Sequence, residues 1–399
     1  MRVLFLSQRV PYPPNRGDKI TTWRLIERMR RAHEVRVVAF AHDEGDVRAA
    51  QQLHDLGVPT IAVRLDLRAA KLRSLPLLLT STPLTLGVYG SAELQAAVDR
   101  LAPECDLAYA YSSSMGAFLE RHPRLRRVMH FAELDSDKWR QYAARSSFPM
   151  RWVYAREART LLEFERRVAH AFDESVLCTP LESQVFERHI PGASSIVLRN
   201  GVDLLEFRPA AERAEPGHLV FTGVMDYLPN VDGCVWFVRE ILPRVRARHP
   251  GVRLSIVGSK PTPEVEALGR EPGVTVTGFV ERTQDWLARA AVSVAPLRIA
   301  RGIQNKVLEA LASGLPVVGT TSATQGVEGE PGKDFLVADE AAAFAARVVE
   351  LLDDPAAAGA LGARGRAFVE ARYDWERTLE PLDALLERLG PAAPPARGG

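Results

Sequence analysis

The stretch Val292-Ser-Val-Ala295-Pro-Leu-Arg298-Ile-Ala-Arg301-Gly302-Ile303-Gln304-Asn305-Lys306-Val-Leu-Glu309-Ala-Leu-Ala-Ser-Gly314-Leu-Pro-Val317-Val318 reads as strand, loop, helix and strand in succession. The aliphatic run ending at Ala295 is short enough for a buried strand. A glycine-bearing loop follows, and helical spacing of apolar residues begins near Ile303. Gly314-Leu-Pro stops that helix before the next β-branched run. One helix between two buried strands is the unit of a parallel sheet. The same alternation runs back through the chain to its start. Upstream lie Val3–Leu6, Val35–Phe40, Thr60–Val63, Leu107–Tyr111 and Val128–Phe131; later come Leu219–Phe221, Leu254–Val257 and Val274–Val276. The expected fold is therefore α/β, with two doubly wound Rossmann-like domains facing across a cleft.

The boundaries follow from breaks in this rhythm. Residues 1–199 form the first domain, and 200–217 a hinge that opens with Asn200-Gly201-Val202-Asp203 and carries Pro209, Pro216 and the polar run Ala210–Glu215. Residues 218–372 form the second domain. A last amphipathic helix over 373–390, with Leu379, Leu382, Leu385, Leu386 and Leu389, is expected to pack back across the domains. The Pro/Ala/Gly tail 391–399 has nothing to bury and reads as disordered.

A chain of 399 residues with 46% hydrophobic and 25% charged residues has the composition of a soluble globular protein, not a fibrous or disordered one. Cys105, Cys178 and Cys234 have neither disulfide-framework nor zinc-type spacing, which suits a reducing compartment. The apolar run after Met1 is too short for a secretory signal, and Pro76 and Pro83 break the longest apolar stretch, Leu75–Tyr89. The expected location is cytoplasmic. Net charge is +1, with the first half positive and the second negative. An anionic neighbour of the first half is one explanation and a solvated basic face the other; neither points to nucleic acid.

The loop after the first strand, Ser7–Asp18, lacks G-x-G-x-x-G, and no Walker, zinc-protease or nucleophile-elbow motif occurs anywhere. Asp135-Ser136-Asp137 superficially matches a metal-holding D-x-D but equally fits a cap for a helix beginning near Asp137. In the opening stretch, a helix N-terminus at the carboxyl end of a parallel strand offers free N–H groups and a positive dipole end. Arg298 and Lys306 add full charges, so a diphosphate would be well held there. Lys306 and Glu309 share a helical face, where an ordinary i,i+3 ion pair is the competing reading.

Gly302–Val318, with its Lys-x-x-Glu-Ala-Leu-Ala-Ser-Gly-Leu-Pro-Val-Val core, resembles the donor-binding signature of retaining GT-B glycosyltransferases of family four. Asn200–Asp203 resembles that family's interdomain signature. Ser7–Lys19 and Asp135-Ser-Asp-Lys138-Trp139 are similar to a narrower group, the sugar transferases associated with bacterial exosortase and exopolysaccharide systems. The resemblance implies a metal-independent, cofactor-free hexosyltransferase that moves sugar from a nucleotide-sugar donor to a glycan or polyprenyl-linked acceptor with retention. By it, Arg298 and Lys306 stabilise the leaving diphosphate. Glu309 binds the donor ribose, and backbone at Gly302, Ile303 and Gln304 takes the place of a motif glutamate that this chain replaces with Arg301. Many relatives carry a basic pair just after the first strand of the second domain; Thr222–Asn230 has none.

On the acceptor side the resemblance gives His130 an active-site role, against a buried and satisfied histidine. Gly17 is either a close approach to the donor or a plain turn glycine. Asp135, Lys138 and Trp139 line the acceptor pocket, with capping by Asp135 and packing by Trp139 as the alternatives. Arg64, Arg68, Lys71 and Arg73 run into Leu75–Leu79, which suits peripheral contact with an anionic membrane at the inner face of the cell; burial of those leucines in the core is the alternative. A nucleotide-sugar epimerase and a non-catalytic two-domain ligand-binding protein stay open as other functions of such a fold.

Overall fold

The computed structural model describes residues 1–209, 214–300 and 302–390. It divides into two compact units, Met1–Arg199 together with the segment from Leu379, and Asn200–Thr378. Each is an all-parallel sheet flanked by helices, which confirms the doubly wound α/β reading.

In the first unit the strands are β1 (Arg2–Ser7), β2 (Glu34–Ala41), β3 (Thr60–Arg64), β4 (Leu107–Tyr111), β5 (Arg126–Ala132), β6 (Glu174–Leu177) and β7 (Ser195–Val197), in the spatial order β3-β2-β1-β4-β5-β6-β7. Central strands are covered on both faces, so they read as continuous apolar runs: Val3 to Leu6 are fully buried. Phe5 lies level with Val37 on one side and Tyr109 on the other. Of these strands, β6 and β7 were not expected. The first contains Glu174, and the second is three residues long, so neither shows a hydrophobic period.

The second unit has β8 (His218–Thr222), β9 (Arg253–Val257), β10 (Val274–Val276), β11 (Val292–Ala295), β12 (Val317–Gly319) and β13 (Leu336–Val337), in the order β10-β9-β8-β11-β12-β13. Two residues of β13 are too few to announce a strand in sequence.

The segment read as one helix from Tyr373 is interrupted. Asp374 makes a bridge with Val202, and Val202 N–H donates to the Tyr373 carbonyl at 2.8 Å. Short helix Trp375–Thr378 follows, and Leu379 separates it from helix Glu380–Leu389. That last helix buries Leu382, Leu385, Leu386 and Leu389 in the first unit. Arg28 forks Asp383 there, with Nε 3.1 and 3.0 Å from its two oxygens, and Arg388 reaches the buried Glu174. Tail residues 391–399 lie outside the described residues, as do 210–213 of the polar run.

Helix Leu67–Ser74 turns Ala70 and Ser74 inward. Leu75–Leu79 forms a 3₁₀ segment in which no residue is buried, so the core reading of those leucines fails. Cys105, Cys178 and Cys234 are thiols, all buried. No helix among the described residues is long and apolar enough to cross a membrane.

Candidate functional site

Strand order in the second sheet reverses between β8 and β11, where an open parallel sheet leaves a crevice at its carboxyl edge. Two loops meet there. One follows β8 and leads into helix Leu228–Trp236; the other follows β11 and leads into helix Asn305–Ala312. The latter helix begins two residues later than its apolar spacing predicts, so Gly302, Ile303 and Gln304 all belong to the loop. Gly302 has φ +60°, a left-handed conformation that favours glycine. Gln304 flanks the helix without a side-chain cap.

Lys306 extends from the first turn of this helix back across the crevice. Its ammonium donates to Asn230 Oδ1 and lies 4.6 Å from the centre of the Phe221 ring. Asn230 is buried, and its Nδ2 donates to the Val224 carbonyl at 2.8 Å, so one amide ties the charge to the β8 loop. The approach requires glycine. A Cβ on Gly223 would sit 2.7 Å from Asn230 Nδ2 and 3.2 Å from Lys306 Nζ. Gly258, at φ +145°, admits no Cβ because the Gly223 carbonyl oxygen would be 1.7 Å away. Asn230, Gly223 and Gly258 went unassigned in the sequence. The two glycines directly after β8 and β9 were the available signal, since glycine there lets backbones converge.

Burial pulls the Lys306 pKa down to about 8, with Cys234 and Glu309 opposing, and pushes Glu309 up to about 7. Burial thus weakens the preference of each group for its charged form. Arg298 is placed differently from Lys306. Its Nε donates to Asp232 Oδ2 at 3.0 Å, its Nη2 reaches the other oxygen, and its guanidinium lies 5.4 Å from the Trp236 ring centre. It thus grips the outer turns of helix Leu228–Trp236. Arg301 lies outside the described residues.

In the first unit, Gly17 is the exposed first residue of helix Gly17–Met29. His130, on β5, is only 1% exposed. Its Nδ1 is 2.7 Å from the Tyr109 hydroxyl, while Nε2 has no partner among the described residues. Burial drives its pKa down to about 3, so the ring is neutral. It is buried but only half satisfied, which matches neither simple alternative.

At the end of β5, Ala132 takes φ +62° and turns the chain toward helix Asp135–Ala144. The helix begins at Asp135, not Asp137, and Asp135 makes no side-chain cap. Its Oδ2 instead accepts from Ser113 Oγ at 2.6 Å, and Lys138 Nζ lies 3.3 Å from Oδ1. Asp137 is buried and accepts from Arg140 and Gln141. Trp139 is half-buried among Tyr142 and Tyr154, at 5.7 and 5.3 Å between ring centres. No group of three or more potential metal ligands occurs among the described residues.

Residues 216–354, which hold the crevice with Lys306, Asn230, Glu309 and Arg298, match the family described as glycosyl transferases group 1. The second unit is thus similar to group 1 glycosyltransferase domains. Glycogen synthase of Mycobacterium tuberculosis is 28% identical to the chain over 239 residues, 56% of each protein. The chain spans about half the length of the curated relatives it matches. Among solved structures, sucrose-phosphate synthase from Thermosynechococcus elongatus superposes with a TM-score of 0.73 at 18% identity, covering 98% of this chain and 99% of that one. HepE from Anabaena, crystallised with UDP-glucose, gives 0.71 at 17% identity, covering 97% and 100%. At these identities the likeness is one of fold. Both units of the chain therefore have the parallel-sheet architecture of GT-B structures.

Proposed function

We propose that the protein is a metal-independent, retaining hexosyltransferase that moves sugar from a nucleotide-sugar donor to a glycan or polyprenyl-linked acceptor in exopolysaccharide synthesis. The observation that carries this is Lys306, held by Asn230 against the glycine-built β8 loop inside the matched domain. A half-buried ammonium with a lowered pKa gains from a dianionic partner. As the glycosidic bond breaks, charge grows on the leaving diphosphate, and a preorganised cation lowers that barrier without reorganising. Glu309, three residues along the same helix, is the candidate for donor ribose hydroxyls. Backbone N–H groups of Gly302, Ile303 and Gln304, in the loop before that helix, are the candidates for the donor sugar.

Arg298 contributes to the diphosphate only if it leaves Asp232, so Lys306 is the principal cation in this reading. On the acceptor side, Gly17, His130 through Nε2, Asp135, Lys138 and Trp139 remain the candidates. Retention and the link to exosortase or exopolysaccharide systems rest on the sequence resemblance. The UDP-glucose bound by HepE, a protein of like fold, supports a nucleotide sugar as donor. A lipid-linked acceptor would place the enzyme in the cytoplasm, peripheral at the inner face of the membrane.

A thermal-shift panel of nucleoside diphosphates and nucleotide sugars tests the donor. A ligand at a hundred times its Kd adds about 2.7 kcal/mol. Stabilisation by at least one diphosphate is expected, and a silent panel would remove the reading. Proton NMR of the first-formed product then reads the anomeric outcome.

A further inference from the structure

Two segments far apart in sequence are fastened together in the first unit. The Arg156 guanidinium donates to the carbonyls of Leu78 at 3.1 Å and Thr82 at 2.9 Å, and also to those of Leu77 and Thr80. Glu157 accepts from the N–H groups of Leu84 and Thr85 at 2.7 and 2.8 Å. Helix Met150–Ala171 is thereby bolted to the segment Leu75–Tyr89.

This assembly meets the sheet at the carboxyl ends of β2 and β5. Glu165 accepts from the Ser136 N–H at 3.2 Å, so it marks the level of the carboxyl end of β5. After Ala171 the chain descends to Asp173, whose N–H donates to Arg127 at the start of β5. The helix from Met150 to Glu165 is about 22 Å long, at 1.5 Å per residue, and Met150 lies at the end away from that contact. At its tip the side chains are apolar and uncovered. Phe148 is 84% exposed, and Met150 and Trp152 are exposed beside it. Leu79 is 91% exposed, with Leu72 and Leu75 also bare. Half of the exposed large hydrophobic residues described for the chain lie in these two segments.

Charge accompanies them. Neither residues 67–90 nor 138–156 contain any Asp or Glu, whereas Arg68, Lys71, Arg73, Arg145 and Arg151 are exposed among the apolar tips. On helix Leu67–Ser74 the inward face is Ala70 and Ser74, so Arg68, Lys71 and Leu72 are turned outward. Apolar side chains at turn tips, with cations around them and no carboxylate, match a bilayer carrying anionic headgroups. The tips would enter the acyl boundary while Lys and Arg stay at headgroup level.

We propose that residues 68–79 and 145–152 form one membrane-docking surface that takes anionic lipid. Nothing in this argument uses the donor site, so the surface stands or falls separately from the glycosyltransferase reading.

Co-sedimentation of the full chain with vesicles tests it. Phosphatidylglycerol/phosphatidylcholine vesicles should pellet the protein at low salt, and pure phosphatidylcholine at least about tenfold less well. Replacing Arg68, Lys71, Arg73 and Arg151 with Glu should lower partitioning to anionic vesicles by more than about a hundredfold, since each cation contributes several-fold. Replacing Leu79, Phe148 and Trp152 with Ser should remove the fraction that stays bound at high salt. All seven positions are exposed, and circular dichroism confirms the fold of each variant. The proposal is overturned if wild type does not bind anionic vesicles, or if neither set of substitutions changes binding. It is equally overturned if the protein self-associates in sedimentation velocity and the Ser variants abolish that, which would assign the surface to a second copy.

Discussion

Lys306 and Asn230, 76 residues apart in sequence, form a single unit: the ammonium of one is held by the amide oxygen of the other, above the ring of Phe221. No charge neutralises Lys306 in this contact. The amide fixes direction while leaving the cation electrostatically unsatisfied, which is the state in which a diphosphate binds best.

Lys306→Ala should lower kcat by about a hundredfold or more, with a smaller effect on donor binding, because its contribution grows with the leaving-group charge. Arg298→Ala should lose distinctly less, since Asp232 already holds that guanidinium. Steady-state kinetics on both variants decide this, and equal losses would mean that Arg298 leaves Asp232 in the reacting complex.

Diphosphate affinity should fall as pH rises through about 8, the depressed pKa of Lys306 in the free protein. Binding favours the protonated amine, so above that pH each complex takes up a proton and affinity drops about tenfold per unit. Calorimetric titration in buffers of different ionisation enthalpy measures this uptake directly. Proton release would contradict the placement.

Glu309→Gln should mainly raise the donor KM, because a neutral amide keeps ribose hydrogen bonds but loses their charge assistance. It should also change stability against pH. The raised pKa of Glu309 gives stability that is complete below the ordinary value of 4.5 and is lost as pH rises through about 7. Denaturant midpoints of wild type should therefore decline across that window, and those of the variant should decline less.

Gly223→Ala should weaken diphosphate binding while leaving the domain folded. The added methyl meets Asn230 and Lys306, both side chains, and displaces the ammonium it would otherwise leave in place. Isothermal titration against circular dichroism separates the two effects. Gly258→Ala, which meets backbone, should cost stability as well.

Chelators should leave activity unchanged. Asp135 is engaged by Ser113 and Lys138, and Asp137 by Arg140 and Gln141, so neither carboxylate is read as a metal ligand. Activity lost in EDTA and restored by magnesium or manganese would reverse that assignment.

Ten of the strands were legible in the sequence because strands buried on both faces must be unbroken aliphatic runs, and the glycine and proline after Ala312 mark a stop that needs no partner to be read. Local chemistry likewise placed Lys306 and Glu309 on one helical face. What the sequence could not supply was any distance between residues far apart in the chain. Asn230 read as one more loop residue until the switch between β8 and β11 brought its helix beneath Lys306. Arg298 read as a free cation until Asp232 was found to hold it. Leu75–Leu79 reads in sequence either as core or as membrane-facing surface, and only the tertiary structure, in which Arg156 holds the backbone of Leu77 and Leu78, leaves Leu75 and Leu79 exposed. Sequence period determines which residues share a face. Tertiary structure alone decides what that face meets, because contacts between distant segments depend on sheet order, which no local pattern encodes.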